Sequence, residues 1–169
     1  MERFRGRAGL DLNETGIKQA ELTAKRISQC QISALYSSPL KRSLSTAQIL
    51  AHHLGLAMMP LEGIIDIDYG SWQGLSPEEA AARDNALYAQ WLESPHLVKF
   101  PRGESLEEVR KRAVVALNDT STKHSEQTVA LVSHKVVCKI LALSMLGLDN
   151  SHFWQVEQDV GAINLFEMK

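Results

Sequence analysis

The chain has 169 residues, 44% of them hydrophobic and 22% charged, the balance of a soluble globular protein, which excludes wholesale disorder. Eighteen Lys and Arg stand against twenty Asp and Glu, a net charge of -2, so no bulk basic field exists to hold nucleic acid or an anionic membrane. Two cysteines, Cys30 and Cys138, make neither a disulfide framework nor a four-thiolate zinc site, and a reducing, cytoplasmic compartment is the expectation.

In chain order, the N-terminal stretch Met1 to Leu10 is basic and poor in apolar residues, with no signal-peptide core. Asn13 reads as an N-cap for a helix over Ile17 to Gln29. Ile32 to Ser37 is a short apolar run suited to a strand. Ser38-Pro39 then opens a helix over Leu40 to Leu54, closed by Gly55. Ala57 to Met59 reads as a short strand. A loop follows from Asp66 to Gly74, and Ser76 with Glu79 forms a capping box for the next helix. Pro95 and Pro101 bracket another loop. Ser105 and Glu108 make a second capping box, for a helix to about Leu117. Thr128 to Ser133 is a near-continuous apolar strand of the type buried on both faces. His134 follows it, then a helix over Val136 to Leu146 and a last strand over Ala162 to Glu167. The longest apolar stretch, Val136 to Leu148, contains Lys139 and is shorter than the ~20 residues of a membrane-spanning helix. Helices alternating with short buried strands predict one α/β domain over residues 1–169, layered α/β/α around a mostly parallel sheet.

Ligands of open α/β sheets sit beyond the carboxyl ends of the strands, and two junctions there carry candidate residues. Arg42 lies in the first turn of the helix after Pro39, where a guanidinium adds to a helix N-terminus and suits phosphate; a solvated surface arginine is the plainer alternative. His134 ends a buried strand, placed either to serve an anion or proton transfer or to act as a structural histidine. Lys135 reads as solvated. Asp66 and Asp68 are both candidates for a general acid beside these cations, with an Asp- and Gly-rich turn as the alternative. Tyr69 and Trp72 read as packing residues. HExxH, CxxC, Gly-rich phosphate-loop and GxSxG motifs are absent from the sequence, so a metal enzyme has no visible ligand set and a serine hydrolase is not expected.

Together these blocks resemble the histidine phosphatase superfamily, which includes the cofactor-dependent phosphoglycerate mutases and α-ribazole phosphatases. The resemblance covers nearly the whole chain in order. It runs from Arg3-Phe4-Arg5-Gly6 and Leu12 to Gly16 through Ser37 to Ser43 with Thr46-Ala47. It continues with Asp66, Tyr69-Gly70 and Trp72-Gln73-Gly74, then Gly103-Glu104-Ser105, and ends at Val132-Ser133-His134. It implies a phosphoglycerate mutase-like fold and a phosphomonoester hydrolase acting through a phosphohistidine. Asp66 would be the acid for the leaving oxygen, Arg42 and His134 the phosphate ligands, and a small phosphorylated metabolite the substrate. The short span between Gly74 and Gly103 favours a phosphatase over a glycolytic mutase.

Three departures accompany the resemblance. The family's first strand ends in Arg-His-Gly, whose histidine is the nucleophile, and Met1 falls after that motif. Asp66 stands where Glu is usual, and Lys135 where Gly is frequent. The expectation is therefore an N-terminally shortened chain, inactive for lack of the nucleophile, with a non-catalytic anion-binding or interaction domain as the rival and a partner-supplied strand as a third alternative. The missing strand is expected between the strands at 34–37 and 128–133, leaving either a rearranged sheet or a homodimer joined through open edges.

Overall fold

The computed structural model describes residues 3–168. Its order is α1 (Glu14–Ile27), β1 (Ile32–Ser37), α2 (Lys41–Leu54), β2 (Met58–Pro60), α3 (Pro77–Arg83), α4 (Asn85–Glu93), α5 (Leu106–Lys123), β3 (Thr128–Val132) and α6 (Lys135–Met145). Short 3-10 turns lie at Glu62–Ile64, Gly70–Trp72, Pro95–Leu97 and Asn150–Gln155. The sheet is parallel, in the order β2-β1-β3.

Local chemistry explains most boundaries. Asn13 caps α1 by accepting from the Gly16 amide at 2.9 Å. Gly55 ends α2 in the left-handed conformation, at φ 65. Both capping boxes form, at Ser76 and Ser105. α5 runs past Leu117 to Lys123 because packing overrides the weak helix preference of its end. Thr120 there is buried and its hydroxyl donates to the Ala116 carbonyl at 2.7 Å. Asp84 ends α3 and caps α4 by accepting from Leu87 N, a break that the sequence reading did not resolve.

Alternate residues of the sheet face opposite layers. On one face Leu35, Ala130 and Val132 pack with Ala24 and Ile27 of α1 and Leu50 of α2. On the other, Leu131 packs on a larger core that includes Val109 of α5, Ile140 of α6 and the rings of Phe4, Tyr69, Trp72, Trp91, Phe100 and Phe153. The result is the expected three-layer α/β/α arrangement.

Of the alternatives expected for the sheet, the structure shows the two strands paired with each other, and one further expectation is corrected. β1 and the strand at 128–132 pair directly, from Ile32 opposite Thr128 to Ser37 opposite Val132. The facing backbone groups satisfy one another, leaving no room for an intervening strand. The run Ala162 to Glu167 forms no strand. Strand geometry requires a ladder partner, and Ile163, Leu165 and Phe166 remain exposed there. For the same reason β3 is only half-buried rather than covered on both faces, since among the described residues no strand pairs with its outer edge. The N-terminal segment docks at Phe4, whose N donates to Leu75 O at 2.9 Å and whose carbonyl accepts from Gly74 N at 2.8 Å.

Candidate functional site

The parallel strands deliver the first two groups. β1 ends at Ser37, and Ser38 N donates to Val132 O at 2.9 Å, so the β1–β3 pairing persists into the loops. α2 then carries Arg42 in its first turn, and β3 carries His134 just past its end. The third group arrives by irregular backbone. Asp66 follows the 3-10 turn at Glu62–Ile64 and enters a loop stacked on the segment 100–104. Gly70 permits that stacking: it sits at φ +51, and a Cβ there would collide with the Pro101 carbonyl oxygen.

These three sequence-selected residues meet. Arg42 Nη2 donates to Asp66 Oδ2 at 2.9 Å, and His134 Nδ1 lies 3.7 Å from the same oxygen. Arg42 is further held by the carbonyls of Ala8, from Nη1 at 3.0 Å, and Gly6, from Nη2 at 2.6 Å. His134 Nε2 lies 2.7 Å from Ser38 Oγ and 3.2 Å from Ser43 Oγ. Asp68, the other acid candidate, is directed elsewhere. It accepts from Gly70 N at 2.7 Å and faces Arg7 at 3.8 Å, as a turn residue does. Lys135 is exposed, and Tyr69 and Trp72 are buried in the aromatic core, as expected.

Burial dominates the electrostatics. It raises Asp66 from its ordinary 3.8 to about 6, against the opposing pull of the Arg42 charge and the Ile67 amide. Burial, with Arg42 and Arg112 adding repulsion, lowers His134 from 6.5 to about 3. At neutral pH the site therefore holds a neutral imidazole, a guanidinium and a carboxylate that takes up a proton on mild acidification. Such a trio can bind an anion and supply one proton.

The sequence reading missed Arg7 and Arg112. Arg112 donates to the carbonyls of Gly63, Ile65 and Asp66 at 2.9, 2.6 and 3.1 Å. It also grips Glu104 from Nε and Nη2, at 2.9 and 3.0 Å. Arg7 reaches Asp66 O at 3.2 Å and Glu104 at 3.1 Å. Burial pushes Glu104 up, but Arg112, the Asp68 amide and Arg7 together hold it below its ordinary value. The one available signal was the Gly103-Glu104-Ser105 block; nothing in residue spacing pairs it with Arg112 or Arg7.

The other histidines lie away from this trio. His52 and His53 line a groove of about 530 Å³ with Leu12 and Ile17. His124 meets the Tyr36 hydroxyl at 2.9 Å. His152 faces Asp149 at 3.3 Å, and His96 belongs to the Pro95–Leu97 turn.

A family model described as the histidine phosphatase superfamily (branch 1) matches residues 1–169. Phosphoserine phosphatase 1 of Hydrogenobacter thermophilus is 36% identical over 167 residues, which are 99% of this chain and 79% of that protein. Among solved structures, Bacillus stearothermophilus YhfR superposes with a TM-score of 0.87 at 28% identity, over 92% of this chain and 77% of that one. The α-ribazole phosphatase from Shigella flexneri superposes at 0.84 over 94% and 79% of the two chains; at 20% identity it speaks for the fold.

Proposed function

Because this chain belongs to the histidine phosphatase superfamily (branch 1), we propose that its site is that of a phosphomonoester hydrolase for small phosphorylated metabolites. The observation that carries this reading is the convergence of Arg42, His134 and Asp66 at the carboxyl ends of β1 and β3. Arg42 and His134 hold the non-bridging oxygens and stabilise their charge in the transition state. Asp66, poised near pH 6, protonates the leaving oxygen. In the two-step reaction of the family, a nucleophilic histidine that is not among the six of this sequence bonds to phosphorus as the ester P–O bond breaks, and the Asp66 proton goes to the departing alkoxide. Water then attacks the phosphohistidine, returns a proton to Asp66 and releases phosphate. Neither step asks for a metal or an organic cofactor.

The chain as it stands binds phosphate at this site but does not turn over. His134 is the histidine at the site, its Nε2 is engaged by two serines, and the remaining five histidines lie elsewhere. The two cores share one sheet, which supports a single domain over residues 1–169. A cytoplasmic location accompanies this reading; no helix among the described residues is long and apolar enough to cross a membrane. A homodimer is part of it too, supported by the outer edge of β3, which pairs with no strand among the described residues, and by the exposed Ile163 and Leu165.

Two measurements test the reading. Isothermal calorimetry with inorganic phosphate should show binding that Arg42→Ala weakens, and an aryl phosphate assay should show no turnover. Hydrolysis that survives purification and is abolished by His134→Ala would overturn the inactivity. Equal phosphate affinity in wild type and Arg42→Ala would overturn the site. Light scattering across concentrations tests the dimer.

A further inference from the structure

We infer that Ser38 and Ser43 are positioning residues that hold His134 as its Nδ1–H tautomer, so that Nδ1 faces the anion site as a donor and neither ring nitrogen is free to act as a nucleophile. The inference rests on the reading of the site as one for phosphate, but its core concerns the ligand-free protein.

The argument is one of donor and acceptor supply. Ser38, Ser43 and His134 are all buried, at 0%, 3% and 7% exposure. A buried hydroxyl needs an acceptor for its proton. Ser38 Oγ already accepts from Leu40 N at 3.4 Å, so its remaining need is to donate. His134 Nε2, at 2.7 Å, is its acceptor. Ser43 meets the same nitrogen at 3.2 Å, sharing its lone pair. A proton on Nε2 would leave both hydroxyls without that acceptor.

The opposite edge of the ring agrees. Nδ1 faces Asp66 Oδ2 at 3.7 Å, too long for a direct bond but aimed at an acceptor. Arg42 presents its guanidinium to the same carboxylate. An anion oxygen entering there meets Nδ1–H and Arg42 together. The imidazolium is disfavoured by burial and by the charges of Arg42 and Arg112, so His134 donates as a neutral group. Its Nε2 lone pair points into the serines, and its Nδ1 carries hydrogen. Ser38, His134 and Asp66 have the outline of a nucleophilic triad, yet Ser38 is fully buried and its hydroxyl offers no approach to a substrate.

The test is the tautomer itself. In the 15N-labelled full chain without ligand, a long-range 1H–15N spectrum should show His134 with a bare Nε2 and a protonated Nδ1, unchanged between pH 5 and 8; His134→Gln assigns the signals. Adding inorganic phosphate should shift Nδ1 more than Nε2. In the Ser38→Ala, Ser43→Ala double variant the two tautomers should mix, and phosphate affinity should fall about fivefold to tenfold. Ser43→Thr, which keeps the hydroxyl, should retain the wild-type tautomer. A protonated Nε2 in the wild type, or a folded double variant with the wild-type tautomer, would overturn the inference. Where the double variant does not fold, the wild-type spectrum alone decides. A wild type with the expected tautomer and no phosphate binding would instead overturn the phosphate reading.

Discussion

The two halves of the site are held in place by different physics. Arg42 and His134 stand at the ends of parallel strands, and their positions follow from a backbone ladder and two helix starts. Asp66 stands on irregular chain, and a pair of arginines from distant parts of the sequence fixes it. Regular structure positions residues cheaply, because each ladder bond also satisfies backbone that must be satisfied anyway. A loop has no such ladder, so its carbonyls need side-chain donors, and Arg112 supplies three of them while closing an ion pair with Glu104. The strand side should therefore tolerate single substitutions better than the loop side.

The largest expected effect follows from that difference. Arg112→Met would leave Glu104 partly buried with only Arg7 as a charge partner and would strip donors from three carbonyls. Removing one member of a buried pair costs about 3–5 kcal/mol, and urea denaturation should show a loss of that order. Arg112→Lys should recover only part of it, since an ammonium does not reproduce the planar fork. A loss below ~1 kcal/mol would mean that the loop holds itself and would end the distinction between the halves.

Acidity separates the halves next, because their shifts have opposite signs. Asp66 rises from 3.8 to about 6 in the folded protein. Between those values the folded state binds the extra proton, so this group's contribution is full at low pH and is lost as pH rises through 6. His134 falls from 6.5 to about 3. There the unfolded state binds the extra proton, so its contribution is full above 6.5 and is lost as pH falls toward 3. Between pH 4 and 6 the two slopes, each ~1.4 kcal/mol per pH unit, oppose each other. Asp66→Asn should expose the His134 slope, with stability falling on acidification. His134→Gln should expose the Asp66 slope, with stability rising. Denaturation midpoints for both variants at several pH values measure this, and equal slopes in the two variants would refute the assignment.

Ligand binding should respond more narrowly. Arg42→Ala removes a charged donor from the proposed anion site, worth about 1.5–3 kcal/mol for a charged hydrogen bond, so phosphate affinity should fall about tenfold to a hundredfold. Titration calorimetry at fixed salt reads this directly.

The same division governs what could be read from the sequence. β1 was legible to the residue, because an apolar run followed by Ser-Pro is a local signal. The placement of Arg42 and His134 at one edge of the sheet was legible, because each follows a short apolar strand and opens a helix. Asp66 was distinguished from Asp68 through the family resemblance, since composition treats both as turn residues. Arg7 and Arg112 were not legible. Their partners lie 46 or more positions away for every loop carbonyl they hold, and no periodicity encodes such a contact. The expected strand at 162–167 failed for a related reason: alternation of side chains describes a strand, but only a neighbour makes one.

The smallest effect sharpens the comparison at the point where the two kinds of structure join. Ser105 caps α5 immediately after Glu104. Its Oγ accepts from Glu108 N at 3.2 Å, and its amide donates to Glu108 Oε2 at 2.7 Å. Ser105→Ala removes the side-chain half of this box, an exposed interaction that water partly replaces, and should cost ~1 kcal/mol in urea denaturation. Arg112 sits more than a turn further along α5, on a helix anchored by the buried Leu106, Val109 and Ala113. Its guanidinium should therefore keep its hold on Asp66 and Glu104, and phosphate affinity should stay within about twofold of wild type. A tenfold loss of affinity in Ser105→Ala would show instead that the helix start and the arginine clamp act as one unit, with the loop half of the site depending on local capping as much as on its long-range ion pairs.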